Sequence, residues 1–396
     1  MINKETLYVF YRVAKAWLQS LVFYVCRVFP VKDKKIVFTC IEGTTGYSCN
    51  PKYIAEELMR RQVGYELIWL VNDISKEFPS GIKKVHNTLL KRAYHLTTAM
   101  VWIDNSRKQL EVRKRVGQIY IQTWHAKLGF KPTCLDRGAS FPRIAYIVSR
   151  HDSEMIDYVL SNSEWYDRTL PTGMIYNGEI LRFGSPRCDV LINGREKAKE
   201  RIKNIYHVPQ NVKIVMYAPT FRGGSQGVTR ILEKGEHTPN FSILLKALEE
   251  RFKSKWYIFL RLHPQLTARK IHGTIENPYI IDVSKAEDMY EILAACDAFI
   301  TDYSSAAFDA CVMKIPIFLY ADDYDEYEKE RGRLLWNLHQ MPFPLSQDND
   351  SLRDSIINFD ERLYEMKLAR LFIETGVVED GLASSRFCDW LQKKYG

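Results

Sequence analysis

An α/β chain with two parallel-sheet domains is predicted by three features of the sequence. From Lys35 onward, short runs of β-branched and aromatic residues alternate with helical patterns, as strands joined by crossover helices do. The alternation falls into two blocks, and the charged helix Arg195 to Ile205 followed by Pro209-Gln210-Asn211 has the composition of a domain junction. With 396 residues and 46% apolar content, the chain is long enough for two cores. A mean hydropathy of −0.27 fits a globular chain rather than an integral membrane protein. Lys and Arg outnumber Asp and Glu by 56 to 48, which favours anionic partners, and no nucleic-acid-binding motif accompanies the charge. Eight cysteines are scattered without a CxxC pair, so neither a zinc site nor a disulfide framework is indicated and the setting reads as reducing and cytoplasmic.

Residues 4 to 29 have the pattern of one amphipathic helix. At a hundred degrees per residue, Leu7, Phe10, Ala14, Trp17, Leu18, Leu21, Val25 and Val28 fall on one face, opposite Lys4, Tyr8, Arg12, Lys15, Gln19 and Arg27. Val9, Val22 and Phe23 do not fit this division. The longest charge-free run, Ala16 to Cys26, is too short to span a bilayer. Residues 1–32 therefore read as a helix lying on an anionic membrane surface, with packing against the rest of the chain as the alternative.

The first block, residues 33–200, opens with strands at Ile36 to Cys40, Glu66 to Val71 and Met100 to Ile103 and helices at Lys52 to Arg61 and Leu89 to Thr98. The basic run Arg107 to Arg115 reads as a solvated face that could also meet an anionic acceptor. Ile119 to His125 (IYIQTWH) is an apolar strand that delivers an imidazole at its tip, although a lone histidine is more often structural than catalytic. A short strand is predicted at Ile144 to Ser149, then a helix from Ser163 to Leu170 capped by Ser163. In Gly184-Ser185-Pro186-Arg187-Cys188-Asp189, an Arg187–Asp189 ion pair fixing the hinge between domains is favoured over direct substrate contact.

The second block, residues 201–396, carries strands at Val212 to Ala218, Trp256 to Leu262, Ile280 to Asp282, Ala298 to Thr301 and Ile315 to Tyr320, with helices at Phe241 to Phe252, Ala286 to Ala295 and Ala306 to Met313. Three strands end in polar turns: VMYAPTFRGG from Val215 carries Thr220 and Arg222, IFLRLHPQ from Ile258 carries His263, and AFITDYSSAAF from Ala298 carries Asp302, Ser304 and Ser305. In an open parallel sheet, ligands sit outside the carboxyl ends of the strands, so these turns would converge on an anion with several phosphate oxygens. The last turn reads as a phosphate cradle at a helix N-terminus, or as a plain N-cap made by Asp302 or Ser304. Gly223 to Gly227 is flexible enough to close over a ligand. Asp322 to Glu326 invites a metal reading, but the charged residues after it favour a solvated helix start. Helices at Asp350 to Phe359, Glu361 to Glu374 and Ser384 to Lys394 end the chain.

The runs QTWHA (Gln122 to Ala126), GSPRCD (Gly184 to Asp189), YAPTFR, RLHP and TDYSS together resemble the CDP-glycerol glycerophosphotransferases of teichoic-acid and capsule synthesis, over roughly residues 35 to 375. The resemblance implies a GT-B-like fold, two parallel-sheet α/β domains facing a cleft, with an acceptor-side first domain and a CDP-glycerol-binding second domain. It implies glycerol phosphate transfer from CDP-glycerol to a lipid-linked glycan or glycerophosphate acceptor, at the cytoplasmic face of the bacterial membrane. His125 would be the acceptor-side base, with Lys131 on the same element, and His263 would act at the donor phosphates. Thr220, Arg222, Asp302, Ser304, Ser305 and Arg187 would bind substrate. No cofactor, metal or nucleic acid is implied, and homo-oligomerisation is left open. This chain has Ala126 where the family often has Gly. A CDP-ribitol-dependent transferase and a GT-B sugar-nucleotide glycosyltransferase are the alternatives.

Overall fold

The computed structural model describes residues 4–220, 237–262, 277–331 and 333–395. Two compact units emerge, the first running to Lys127, then Thr133–Asp189 and again from Val377, the second comprising Leu128–Pro132 and Val190–Gly376. In the first, strands β1 (Lys32–Thr39), β2 (Glu66–Val71), β3 (Ile82–His86), β4 (Ala99–Asp104), β5 (Ile119–Gln122), β6 (Tyr158–Ser161) and β7 (Glu179–Arg182) form one sheet ordered β3-β2-β1-β4-β5-β6-β7. In the second, β8 (Lys213–Tyr217), β9 (Trp256–Leu260), β10 (Ile280–Asp282), β11 (Ala298–Thr301), β12 (Ile317–Tyr320) and β13 (Leu345–Ser346) are ordered β10-β9-β8-β11-β12-β13. Every strand pairing is parallel. The strand order reverses between β1 and β4 in one sheet and between β8 and β11 in the other, which is where open sheets of this kind hold ligands.

Both faces of the first sheet are covered, which its strands require because successive side chains point to opposite sides. Ile36, Phe38, Trp69, Ile103 and Ile121 pack with Ile54 and Leu58 of the helix Cys49–Arg61 and with Phe387 and Leu391 of the helix Ala383–Tyr395. Val37, Ile68, Leu70, Trp102 and Tyr120 pack on the other face with Phe23, Leu96 and Tyr166. The predicted cap at Ser163 is present, its hydroxyl accepting from Tyr166 N at 3.2 Å.

Four predicted features differ. Ile144 to Ser149 lies within a helix, Arg143–Ser153, because Ile144, Ile147 and Val148 repeat at helical spacing behind an extended Pro142. The edge strands β3, β7 and β13 were not predicted, since each buries only one or two side chains, and neither was β6, whose four residues are all buried but too few to show a period. The helix Arg195–Ile205 belongs to the second unit, where Arg195 donates to Cys296 O at 2.9 Å and Lys199 pairs with Asp297 at 2.6 Å, so the chain changes unit at Asp189 rather than at residue 200. From Val377 the chain rejoins the first unit, where Val378 N bonds Asn162 O.

The N-terminal helix runs from Lys4 to Val25 and ends in a 3₁₀ turn at Cys26–Val28. It buries Val9, Ala16, Ser20 and Phe23, a stripe built partly from the residues that fitted neither face in the sequence. Leu7, Phe10, Trp17, Leu18, Leu21, Val25 and Val28 are all exposed, Trp17 at 60% and Phe10 at 70%. Packing on its own unit and a bare apolar stripe thus coexist on one helix. No described helix is long and apolar enough to cross a membrane.

Candidate active site

In the first unit, β5 ends at Gln122 and hands the chain to Thr123, Trp124 and His125. Trp124 sits at φ +46°, a left-handed conformation that a bulky residue adopts only when held there. Asn50, fully buried, does much of the holding: its amide donates to Thr123 O at 3.2 Å and Trp124 O at 2.7 Å. The Gln122 side chain accepts from Trp124 N at 3.0 Å, and Thr123 Oγ1 donates to Asp104 O at 2.9 Å. These bonds satisfy backbone groups that leave the strand without a ladder partner.

His125 Nδ1 lies 2.6 Å from Asn105 O. A carbonyl only accepts, so Nδ1 carries the proton and Nε2 presents a lone pair. Burial pushes the imidazole down to about 4 and the charges of Arg187 and Arg107 add to it, against the opposing hydrogen bond to Asn105. The ring is therefore neutral at physiological pH. Trp124 flanks it with centroids 4.8 Å apart, and the Arg107 guanidinium lies 4.7 Å from the Trp124 ring centroid.

The Gly184 to Asp189 run meets this turn. Arg187 Nη1 donates to His125 O at 2.7 Å, its own N–H donates to Asn50 Oδ1 at 3.1 Å, and Lys127 Nζ reaches Gly184 O and Ser185 Oγ at 3.1 and 3.0 Å. Arg187 is 3% exposed, the position of a residue that shapes the His125 turn. The predicted Arg187–Asp189 ion pair does not form. Asp189 instead accepts from Ala383 N at 3.0 Å and Ser384 N at 2.8 Å, where two helix N–H groups with no intrahelical acceptor offer a better match than a guanidinium already committed to His125.

In the second unit, β8 and β11 meet at the reversal of strand order. Asp302 is buried, and its carboxylate accepts from Thr220 N at 2.9 and 3.0 Å and from Tyr303 N at 2.6 Å. Asp302 and Thr220 therefore hold two strand ends together. The helix that follows is short, Ala306–Ala310, and continues as a 3₁₀ turn. Its capping is weak: Ser304 Oγ accepts from Ala306 N at 3.3 Å, and the Ser305 side chain makes no cap bond. Leu128–Pro132 packs here, with Phe130 against Phe308 at 4.7 Å, Leu335 N bonded to Phe130 O, and Trp336 Nε1 donating to Gly129 O. A Cβ on Gly129 would stand 3.4 Å from Ser305 Cβ. Lys131 Nζ lies 5.8 Å from the Tyr327 ring centroid, and Tyr327 stacks on Tyr303 at 3.8 Å. Lys131, expected to bind substrate, thus lies in the second unit, near the Tyr303–Tyr327 stack beside the Ser304 turn.

Arg222, His263 and the loop Gly223 to Gly227 lie outside the described residues. The acidic run does begin a helix, Tyr324–Arg331, as expected of a solvated start. Just before it, Asp322 and Asp323 meet His237, with Nδ1 2.8 Å from Asp322 Oδ1, and the ligand atoms of all three lie within 4.8 Å of one another. Tyr303 OH donates to Asp323 at 2.9 Å. Sequence reasoning did not single out Asn50, Asn105 or His237. Each acts through a backbone group or a residue distant in the chain, and no local pattern marks such a partner.

A family model described as CDP-Glycerol:Poly(glycerophosphate) glycerophosphotransferase matches residues 21–393. The chain is 30% identical over 376 residues to the teichoic acid poly(glycerol phosphate) polymerase of Staphylococcus epidermidis, covering 92% of this chain and 51% of that protein. It is 27% identical over 357 residues to the polymerase of the same name from Bacillus subtilis, covering 88% and 47%. It therefore spans about half the length of these curated relatives. Among solved structures, the wall teichoic acid polymerase TagF, in a His-to-Asn variant soaked with CDPG, matches with a TM-score of 0.81 and 26% identity over 100% of this chain and 99% of that one.

Proposed function

The chain belongs to the CDP-glycerol:poly(glycerophosphate) glycerophosphotransferase family, and on that premise we propose that it transfers glycerol phosphate from CDP-glycerol to a hydroxyl of a membrane-anchored acceptor, releasing CMP, in teichoic-acid or capsule-type polymer synthesis. The observation that carries this reading is His125, whose Nδ1 is committed to Asn105 O while Nε2 is left as the acceptor. The acceptor hydroxyl gives its proton to Nε2 as its oxygen bonds to the glycerol-bearing phosphorus. The phosphorus–oxygen bond to CMP then breaks, and CMP keeps the electron pair. A neutral imidazole suits the first half of that exchange.

On the donor side, the Ser304 and Ser305 hydroxyls are assigned to the diphosphate, with Arg222 and His263 joining them by the family resemblance. Lys131 adds a cation on the same unit as the two serines. Such groups stabilise charge on the transferring phosphoryl oxygens. Asp302 and Thr220 act beneath them as scaffold. The bare stripe of the N-terminal helix, with Lys4, Arg12 and Lys15 on the polar face of the same helix, is assigned to an anionic headgroup layer, giving a peripheral place on the cytoplasmic membrane face.

The test is a donor screen of the full chain with CDP-glycerol, CDP-ribitol and UDP-sugars, with CMP release assayed and product length read by mass. CDP-glycerol should support turnover above the others. Preference for CDP-ribitol would reassign the donor, and turnover only with a UDP-sugar would replace the phosphotransferase reading by glycosyl transfer.

A further inference from the structure

The basic run from Arg107 to Arg115 holds five cations, and four of them are tied to oxygen. Lys108 Nζ pairs with Asp104 at 2.6 Å, Arg113 Nη1 donates to Leu110 O at 2.7 Å and Val112 O at 2.8 Å, Lys114 pairs with Asp157, and Arg115 Nη1 donates to Phe29 O at 2.8 Å. Arg107 is the exception. Its Nη2 donates to Cys134 Sγ, and among the described residues no carboxylate or carbonyl oxygen accepts from its guanidinium. Cys134 is a poor substitute for an anion: it is buried, and burial pushes its thiol up, so the sulfur stays neutral and accepts weakly. A half-buried guanidinium in this position has given up part of its hydration without gaining a counter-ion.

Arg107 follows β4 and His125 follows β5, two paired strands beside the β1–β4 reversal, and ligands of open sheets sit outside such carboxyl ends. The Arg107 guanidinium lies over the Trp124 ring at 4.7 Å, the Trp124 and His125 rings are 4.8 Å apart, and Asn105, on the same turn as Arg107, fixes the imidazole. A guanidinium stacked on an indole keeps its edge for two oxygens of one phosphate. We propose that Arg107 binds a phosphate of the acceptor beside the hydroxyl that His125 deprotonates, and so selects acceptors ending in glycerol phosphate over neutral ones. The hydroxyl and the phosphate of such an end are joined only by the glycerol backbone, so neighbouring strand ends can hold both. This selection rests on the transferase role given above. The acceptor is the source of the phosphate because Arg107 shares the first unit with His125, whereas Lys131, Ser304 and Ser305, assigned to the donor diphosphate, belong to the second.

The experiment follows CMP release from CDP-glycerol by the full chain with two soluble acceptors that differ in one group, a glycolipid analogue ending in glycerol phosphate and the same analogue ending in unphosphorylated glycerol. In the wild-type chain the phosphate-bearing acceptor should have a KM lower by about 10-fold or more. Arg107→Gln should raise that KM by about the same factor, with kcat changed less, calorimetric affinity for CDP-glycerol kept, and part of the loss recovered in Arg107→Lys. Equal KM values for the two acceptors in the wild-type chain, or an unchanged KM in Arg107→Gln, overturns the proposal. Loss of CDP-glycerol affinity in Arg107→Gln also overturns it, by placing the guanidinium on the donor. Calorimetric titration with sn-glycerol 3-phosphate alone needs no turnover: the wild-type chain should bind it, and Arg107→Gln should bind it about 10-fold or more weakly. Failure of CDP-glycerol as donor would therefore sink the transferase reading while the titration still decides the role of Arg107, and absence of binding to the wild-type chain overturns that role even if the variant fails to fold.

Discussion

The turn that carries His125 and the turn that carries Ser304 and Ser305 both follow parallel strands, but they are held in different ways. The first is tied from far along the chain: Asn50, Asn105 and Arg187 each bond one of its backbone or ring groups. The second is tied partly from within, by Asp302 to Tyr303 N and by Ser304 to Ala306 N, and partly by the N–H of Thr220 and the carboxylate of Asp323, which Tyr303 OH reaches. The role proposed for His125 needs one tautomer and one orientation, and the Asn105 carbonyl supplies both by accepting from the ring. The phosphate role proposed for the second turn needs donors that remain available, and there the scaffold bonds run through the buried Asp302 carboxylate while the Ser305 side chain makes no cap bond.

The largest effect that would test this contrast is at His125. His125→Ala should lower turnover by about 10² to 10⁴-fold while calorimetric donor affinity stays near wild type. A rate within a few-fold of wild type would remove the base role, and a matching loss of donor affinity would place the imidazole among the phosphate ligands. The complementary change, Ser304→Ala with Ser305→Ala, should instead weaken donor binding by roughly 1.5 to 3 kcal/mol, about 10 to 150-fold in Kd. Unchanged binding by calorimetry would end the cradle assignment.

Asn50→Ala should sharpen the same comparison from beneath. It strands Thr123 O, Trp124 O and Arg187 N in the interior, so unfolding by denaturant should show a loss of about 1 to 3 kcal/mol, and turnover should fall with donor affinity preserved. Loss of donor affinity without loss of turnover would contradict its place at the base. On the N-terminal helix, Trp17, Leu18 and Leu21 all changed to Asp should leave folding intact, because these side chains are exposed, and should release the chain from anionic vesicles in co-sedimentation. Phe23→Ala should do the reverse, costing about 3 to 5 kcal/mol of stability with vesicle binding retained until unfolding. The smallest effect concerns pH. With His125 held down to about 4, its neutral form is already complete near neutrality, so turnover should show no base titration between about pH 6 and 8 and should fall only as the ring protonates near 4. An acidic limb centred near the ordinary histidine value would show that the ring is hydrated in the working enzyme.

Much of the fold was legible in the sequence because its signals are short-ranged. The apolar runs at Glu66–Val71, Ile280–Asp282 and Ala298–Thr301 became strands with those bounds, and Phe241–Phe252 became a helix with those bounds. Edge strands escaped notice because one or two buried side chains leave no period to detect. Ile144 to Ser149 misled for a related reason, since a run that short fits a strand and a helix equally well.

By itself the sequence determined the two parallel-sheet blocks, the motif order that marks the family, and the placing of an imidazole and two hydroxyls after strands. Periodicity, caps and motif spacing all act within a few residues, so they survive without the rest of the fold. Tertiary structure alone decided which partner each polar group takes. Asp189 caps the helix Ala383–Tyr395 rather than pairing with a guanidinium two residues away, and Lys131 approaches the ring of Tyr327, nearly two hundred positions further along the chain. It also decided that Val9 and Phe23 anchor the first helix while Trp17 and Leu18 remain bare. The reason is the same in each case: a buried polar group or apolar face goes to whatever complementary surface the packed chain brings near, and that surface is set by residues tens to hundreds of positions away.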